Sequence, residues 1–279
     1  PAVTYKKKFC TPIAFNVQDL WPENVETVTG IRNPLVIKPI DKMVDYIYKN
    51  TDEIFATSPS FVDAICNRET KVSRKKVHYW PQYAEDFYVP QEKKLIPEIP
   101  DDDSFKIVFT GNIGTAQGLQ ILPKAAKLLK EENVRFVIVG DGRYLEEFKK
   151  DIRNCDVEEM FTMIPRQPAE RIPEILAVCD AAFLSFQDDE LWAKTIPAKL
   201  QSYMACGMPI IASAKGETER VLDEAECGLC SEIGDEKKLY SNIKKLMTFD
   251  LTMMGKNGRE YFEKNFDKQM LINQMDDYF

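Results

Sequence analysis

The chain has 279 residues, 44% hydrophobic and 29% charged, with a formal charge of −8 at neutral pH. That balance fits a globular chain with a substantial core and argues against general nucleic-acid binding, which needs a dominant basic face. No run approaches the roughly 20 apolar residues of a membrane-spanning helix.

The opening, Pro1-Ala2-Val3-Thr4-Tyr5-Lys6-Lys7-Lys8, is polar and basic, unlike a secretory leader. It has no initiator Met, so the sequence is expected to begin inside a longer protein. Ile13–Val17 reads as a strand running into Asp19-Leu20-Trp21-Pro22-Glu23. A long amphipathic helix is expected over 35–49, with Leu35, Ile37, Ile40, Val44 and Ile47 apolar. A short strand at Ile54–Thr57, a helix at Pro59–Cys66 and a strand at Lys76–Trp80 follow. Residues 1–90 thus amount to about half of a Rossmann-like domain, since a complete half needs roughly four to six strands. Residues 91–103, with Pro97, Pro100 and Asp101-Asp102-Asp103, read as a linker. The Asp triplet has no strand before it and reads as solvated charge rather than a metal-binding Asp-x-Asp.

Residues 104–265 alternate strand and helix in the manner of a parallel sheet with right-handed crossovers. Strands are expected at Ile107–Phe109, Phe136–Val139, Ala181–Leu184 and Pro209–Ala212. Leu119, Leu122, Ala126 and Leu129 share one helical face, as do Ile172, Ile175 and Leu176. Over 266–279 a final helix with Met270, Leu271, Met275 and Phe279 is expected to pack on the amino-terminal part. Cys179 and Cys206 lie in apolar segments as small fillers, and Cys227-Gly-Leu-Cys230 lacks the second pair a zinc or redox site would need. No metal site is expected, and a reduced, cytoplasmic setting is the plain reading.

Residues 195–213, Thr-Ile-Pro-Ala-Lys-Leu-Gln-Ser-Tyr-Met-Ala-Cys-Gly-Met-Pro-Ile-Ile-Ala-Ser, carry the most information. Pro197 fits the first turn of a helix whose apolar face is Leu200, Tyr203 and Met204, with Gly207 ending it and a buried strand following. Free N–H groups at that start, beside Thr195, Ile196 and Pro197, would suit an anion, reinforced by Lys194 and Lys199. Phe109-Thr-Gly111-Asn112-Ile-Gly114 also links a strand to a helix and can approach a phosphate, although a ligand-free tight turn explains it equally. It is not a dinucleotide fingerprint, because position 116 is Ala. Val139-Gly140-Asp141-Gly142 closes the next strand, with a simple turn as its plain alternative.

The 195–213 segment resembles the donor-binding segment of family-4 retaining glycosyltransferases of the GT-B fold, the "glycosyl transferases group 1". Gly-Asn-Ile-Gly-x-x-Gln-Gly, Val-Gly-Asp-Gly and Met163-Ile-Pro-Arg166-Gln167 match its other loops. The family's paired glutamates would fall at Lys194 and Ser202 and are both missing, and Asn112 and Gln117 stand where many relatives carry Arg and Lys. Pro197, Lys199, Gln201 and Tyr203, with Gly216-Glu217, Asp19–Glu23 and Trp80-Pro-Gln-Tyr83, resemble the L-fucosaminyltransferase-like branch that serves capsule and O-antigen synthesis.

The resemblance implies two Rossmann-like domains, with the amino-terminal one partial here and roughly a hundred residues preceding Pro1 in a complete enzyme. It implies transfer from a UDP-sugar, expected to be N-acetylated, with retention and without a metal ion or other cofactor. The acceptor would be a saccharide or a polyprenyl-diphosphate-linked sugar, with peripheral contact at the inner face of the membrane and no nucleic acid. Lys6–Lys8 and Arg74–Lys76 could meet acidic lipid there, though such clusters are also ordinary surface. Lys199, Lys194 and Asp19 become the catalytic candidates. Gly111, Asn112, Gly114, Gln117, Gly140, Arg166, Thr195, Ile196, Pro197, Ser202 and Glu217 become the donor-binding ones. For Asp19 a turn cap, and for Glu217 a first-turn helix carboxylate, are the alternatives. A truncated nucleotide-sugar-binding module, or one half of a two-chain enzyme, and a GT-B epimerase are the competing functions.

Overall fold

The computed structural model describes Pro1–Tyr278, leaving aside the side chain of Asp277. Its first stretch holds α1 (Ala2–Phe9), β1 (Ala14–Val17), α2 (Glu23–Thr29), α3 (Pro34–Asn50), β2 (Glu53–Ala56), α4 (Pro59–Cys66) and β3 (Val77–Tyr79). Then come β4 (Phe105–Asn112), α5 (Ile121–Leu128), β5 (Val134–Asp141), α6 (Leu145–Cys155), β6 (Phe161–Ile164), α7 (Ile172–Ala177) and β7 (Ala181–Ser185). The rest is α8 (Glu190–Ala193), α9 (Ala198–Ala205), β8 (Ile210–Ser213), α10 (Glu217–Ala225), β9 (Gly228–Ser231), α11 (Glu236–Leu246), α12 (Leu251–Asn265) and α13 (Lys268–Met275). The chain divides into two compact units, one of Pro1–Gln82, Asp189–Ile196 and the residues from Gln269 onward, the other of Tyr83–Asp188 and Pro197–Lys268.

In the first unit β1, β2 and β3 form a parallel sheet in that order, with Ala14 opposite Glu53 and Ile54 opposite Val77. α3 starts where Asn33 accepts the Leu35 N–H at 3.0 Å and Pro34 presets the first turn. At its other end the Lys76 ammonium donates to the orphan carbonyls of Tyr48 and Thr51 at 2.6 and 2.8 Å. Val44 and Tyr48 of α3 join Ile54, Phe61, Ile65 and Val77 in the core, where Leu191 of α8 also packs. α8 therefore belongs to this unit, and the Ser58 hydroxyl donates to the Lys194 carbonyl at 2.5 Å. β1 is paired on one side only among the described residues, and its Ala14, Phe15 and Asn16 are exposed.

The second unit is a six-stranded parallel sheet in the order β6-β5-β4-β7-β8-β9. Strand order reverses between β4 and β7, the place where doubly wound sheets open a crevice at their carboxyl ends. The central strands are buried on both faces, which their Val, Ile and Phe runs reflect. Ile107, Phe109, Phe136, Ile138, Phe183 and Ile211 pack with Leu122, Phe148 and Ile243 from the helices. β6 and β9 escape a sequence reading because both are four-residue, half-buried edges without an alternating pattern, and Gly-Leu-Cys-Ser has no β-branched residue at all.

Several boundaries differ from expectation. The second unit begins at Tyr83 rather than after a linker from 91, because Lys268 pairs with Glu85 at 2.8 Å and Ile96 and Ile99 are buried. The Asp triplet is not merely solvated: Asp102 accepts from Ser104 Oγ at 2.5 Å and Lys106 Nζ at 3.0 Å, fastening the start of β4. The helix expected over 266–279 is α13, shorter at Lys268–Met275, and Trp80 Nε1 donates to its Leu271 carbonyl at 2.9 Å within the first unit. Phe279, assigned to that helix from sequence, lies outside the described residues. Cys179, Cys206 and Cys227 are buried.

Candidate functional site

At the carboxyl ends of β4, β5 and β6 the second unit opens into a cavity of about 590 Å³. Two loops build its floor. Gly111 pairs with Gly140 and Asn112 with Asp141 in register, the Ile113 N–H donates to the Asp141 carbonyl at 2.8 Å, and the Tyr144 N–H donates back to Ile113 at 3.0 Å. The strand ends approach so closely that a Cβ on Gly140, at φ +152°, would lie 1.9 Å from the Gly111 carbonyl oxygen. Only glycine fits there.

α9 supplies one wall. Its fully buried Tyr203 hydroxyl accepts the Thr110 N–H at 3.0 Å, fixing the helix against the end of β4. The helix begins at Ala198. Pro197 is the extended residue before it, ψ 143°, rather than a first-turn residue. Thr195 completes the turn after α8, its hydroxyl donating to Leu191 at 3.0 Å, so the expected anion site at Thr195–Pro197 shifts to the N–H groups of Ala198 and Lys199.

Ala198, Lys199 and Ser202 form the face of α9 that lines the cavity. The Lys199 ammonium stands 4.4 Å from the Phe109 ring centroid, and its stem lies over Gly111, where a Cβ would come 2.7 Å from Cε. No carboxylate pairs with it among the described residues, and burial pushes its pKa down to about 8. An uncompensated cation at the mouth of a parallel sheet marks a place for an anionic ligand. Across the cavity are Arg166, exposed after β6, and Gln167, which accepts from Arg171 at 2.5 Å.

Of the residues named from sequence, Gly111, Asn112, Gly140, Arg166, Lys199 and Ser202 line this cavity together. Gly114 and Gln117 do not. The Gln117 side-chain Oε1 accepts the Gly114 N–H at 3.0 Å and so braces its own loop. Glu217, 5% exposed, opens α10 in an ion pair with Arg220 at 2.8 Å, the first-turn carboxylate that was its alternative reading. Asp19, Lys194, Thr195 and Ile196 belong to the first unit, where the Asp19 carboxylate accepts from Asn24 at 2.8 Å. Tyr88 and Asp141 line the cavity and were missed. Asp141 follows directly from the Val-Gly-Asp-Gly turn, whereas nothing in the sequence singles out Tyr88.

A second cavity, about 630 Å³, opens near the amino ends of the strands around Lys93, Asp102, Lys106 and Asp180. Its charges satisfy one another: Lys106 Nζ donates to Asp102 and Ser104, and Asp180 accepts the Lys106 N–H at 2.8 Å. No convergent set of three His, Cys, Asp or Glu side chains occurs among the described residues.

Residues 91–265, more than half the chain, match the family "Glycosyl transferases group 1". The chain belongs to that family. Over 264 residues it is 25% identical to the "Probable glycosyltransferase WbjE" of Pseudomonas aeruginosa, covering 92% of this chain and 65% of that protein. It thus spans about two thirds of that relative's length. Anabaena Alr3699/HepE, solved with UDP and glucose, superposes with a TM-score of 0.77 at 16% identity, covering 99% of this chain and 73% of the other. The sucrose-phosphate synthase of Thermosynechococcus elongatus gives 0.77 at 16%, over 99% and 69%. At that identity the likeness shows the fold alone, and the fold is GT-B, an α/β architecture of parallel, Rossmann-like sheets. No helix among the described residues is long and apolar enough to cross a membrane.

Proposed function

We propose that this group 1 chain carries the donor-binding part of a glycosyltransferase that takes a sugar from a UDP-linked, N-acetylated donor. The acceptor is a saccharide or a lipid-diphosphate-linked sugar in cell-surface polysaccharide synthesis. The observation that carries the reading is Lys199, half-buried and without a carboxylate partner among the described residues, beside the free N–H groups at the start of α9. A diphosphate laid across Ala198 and Lys199 satisfies both, and the ammonium then stabilises the negative charge that grows on the departing UDP. The Gly111–Asn112 turn lets the backbone close on the same phosphates, and Arg166 sits at the edge where a base would rest. The relative WbjE is named as a glycosyltransferase and HepE was solved with UDP, which supports this reading.

Retention and independence of divalent metal follow from the family resemblance, as do the roles of Asp19 and Lys194 toward the sugars. So does a peripheral place on the cytoplasmic membrane face. The exposed, singly paired edge of β1 supports a further segment, in cis or as a partner chain, completing the first unit's sheet. Lys194 and Ser202, standing where the family places carboxylates, favour a second reading in which the chain binds donor without transferring it.

A thermal-shift panel of UDP, GDP and ADP sugars tests the binding. A shift with UDP-N-acetylhexosamine that survives EDTA is expected, since ligand bound to the folded state raises the midpoint. No shift with any UDP compound would overturn the donor assignment. Transfer assayed with and without a segment that pairs with the open edge of β1 separates the two readings.

A further inference from the structure

The basic clusters Lys6–Lys8 and Arg74–Lys76 lie far apart in the sequence and take no part in the donor cavity, yet the first unit brings them to one corner. That corner is the turn between α3 and β2. Lys6 Nζ donates to the Asn50 carbonyl at 3.1 Å and pairs with Asp52 at 2.5 Å. Lys76 reaches the same turn through the Tyr48 and Thr51 carbonyls. Beside it is a cavity of about 450 Å³ lined by Lys49, Lys71 and Lys76 with Thr70, Val72 and Ser73, and no carboxylate is among these. All of them precede β2 or β3, at the amino ends of the strands, away from the end where parallel sheets hold substrates.

The charge at this rim is not compensated. Asp52 is taken by Lys6, and Glu53 by His78 at 2.6 Å. Lys7, Lys8, Lys49, Lys71 and Lys75 are exposed and enter no ion pair among the described residues. Cations gathered at one place repel one another, and on a chain of net charge −8 their segregation points to an anionic partner.

α1 shows what kind of partner. Val3 is its buried residue, and Lys6 and Lys7 flank that face, with Lys7 Nζ donating to the Tyr46 hydroxyl of α3 at 3.0 Å. The other face carries Tyr5 and Phe9, one turn apart and both more than half exposed. Their ring centroids are 4.5 Å apart, and the Lys8 ammonium stands 5.1 Å from the Phe9 centroid. A soluble anion has no use for an exposed aromatic pair. Rings surrounded by lysines suit the boundary of a bilayer, where the rings enter the headgroup layer and the ammonium groups meet lipid phosphates.

We propose that this rim, α1 together with the cavity of Lys49 and Lys71, is the surface on which the chain docks to an acidic lipid bilayer. The inference rests on the peripheral placement proposed above and gives it a location. It needs nothing from the donor cavity.

The test is flotation of the whole chain with vesicles of phosphatidylcholine, alone or mixed with phosphatidylglycerol. Binding to the mixed vesicles only, reversed by salt, is expected. Lys8→Gln/Lys49→Gln/Lys71→Gln removes three charges that no ion pair uses. At about fivefold for each lysine near an anionic surface, affinity should fall roughly a hundredfold with an unchanged melting midpoint. Tyr5→Ser/Phe9→Ser, with every lysine in place, should lose about tenfold. Lys127→Gln/Lys237→Gln/Lys264→Gln takes the same charge from exposed positions of the second unit and should bind as the wild type does. If either rim variant binds mixed vesicles like the wild type, the peripheral placement stands and this surface is the wrong one. A control triple that loses as much as the rim triple overturns the inference as well, since net charge alone would then decide. So does displacement by inorganic phosphate at constant ionic strength, which would give the cavity to a soluble anion. Failure of the wild-type chain to bind mixed vesicles would instead overturn the placement itself, and this inference with it.

Discussion

Two lysines, one buried and one half-buried, sit at opposite ends of the same parallel sheet, and their surroundings differ in one respect. Lys106, 8% exposed at the start of β4, has its ammonium within hydrogen-bond distance of the Asp102 carboxylate and two carbonyls. The Ser104 hydroxyl, ahead of Lys106 itself, holds the Asp102 carboxyl well below the usual range. Lys199, at the carboxyl ends, faces an aromatic ring and a glycine and is in no ion pair among the described residues. A charge removed from water and left unpaired lowers stability, and a chain keeps one where a ligand supplies the partner. Two cavities of nearly equal volume are thus told apart by charge compensation, not by size.

The largest effect should come from closing the ligand end. Gly140→Ala places a methyl group 1.9 Å from the Gly111 carbonyl in a backbone conformation that L-residues avoid. A loss of about 3–4 kcal/mol in chemical denaturation is expected, together with loss of nucleotide binding in whatever remains folded. Stability within about 0.5 kcal/mol of wild type would mean that the β4 and β5 ends do not abut as described.

The lysines themselves give the direct contrast. Lys199→Met keeps the stem and removes the charge, so it should weaken UDP by about 1.5–3 kcal/mol, leave uridine unchanged, and hold or raise the melting midpoint. Lys106→Met should do the reverse. It leaves Asp102 and the carbonyls short of a donor, costing about 1–3 kcal/mol of stability, with UDP affinity unchanged in the folded protein. If both variants lost stability and kept UDP affinity, the distinction between the two cavities would collapse.

How much of this was readable beforehand follows the physics of each element. β4, β5, β7 and β8 announce themselves because central parallel strands must be apolar on both faces. α9 is framed by Pro197 and Gly207, yet its first residue is misplaced by the Thr195 turn, since proline suits both the cap and the first turn. Lys199 is identifiable from its place beside a helix start. That it lacks a partner is not, because isolation is a property of everything around it. Tyr88 lines the cavity while its backbone carbonyl accepts from Arg259 of α12, distant in sequence, and no local pattern encodes such a bond. Glu217 shows the converse: the Arg220 that claims it stands three residues on, a spacing that the sequence displays.

The smallest effect tests the Lys199 charge without mutation. Burial lowers its pKa to about 8, and a diphosphate beside it must raise that value, so the protonated form is the one that binds. Below that pKa the ammonium is present and UDP affinity is full. As pH rises through it, affinity should fall, by roughly tenfold between pH 7 and pH 9. The ligand does not produce this slope, because a terminal phosphate with a second pKa of about 6 is already fully ionised across the window. Ionisation of the uracil ring is subtracted by titrating uridine in parallel. Lys106 donates to Asp102 at the other end of the sheet and does not line the cavity, so Lys106→Met should reproduce the profile. Lys199→Met should bind weakly and equally across the range. A wild-type affinity that stays level from pH 7 to 9 would show that no ammonium titrating near 8 meets the diphosphate, and the contrast between the two lysines would then rest on stability alone.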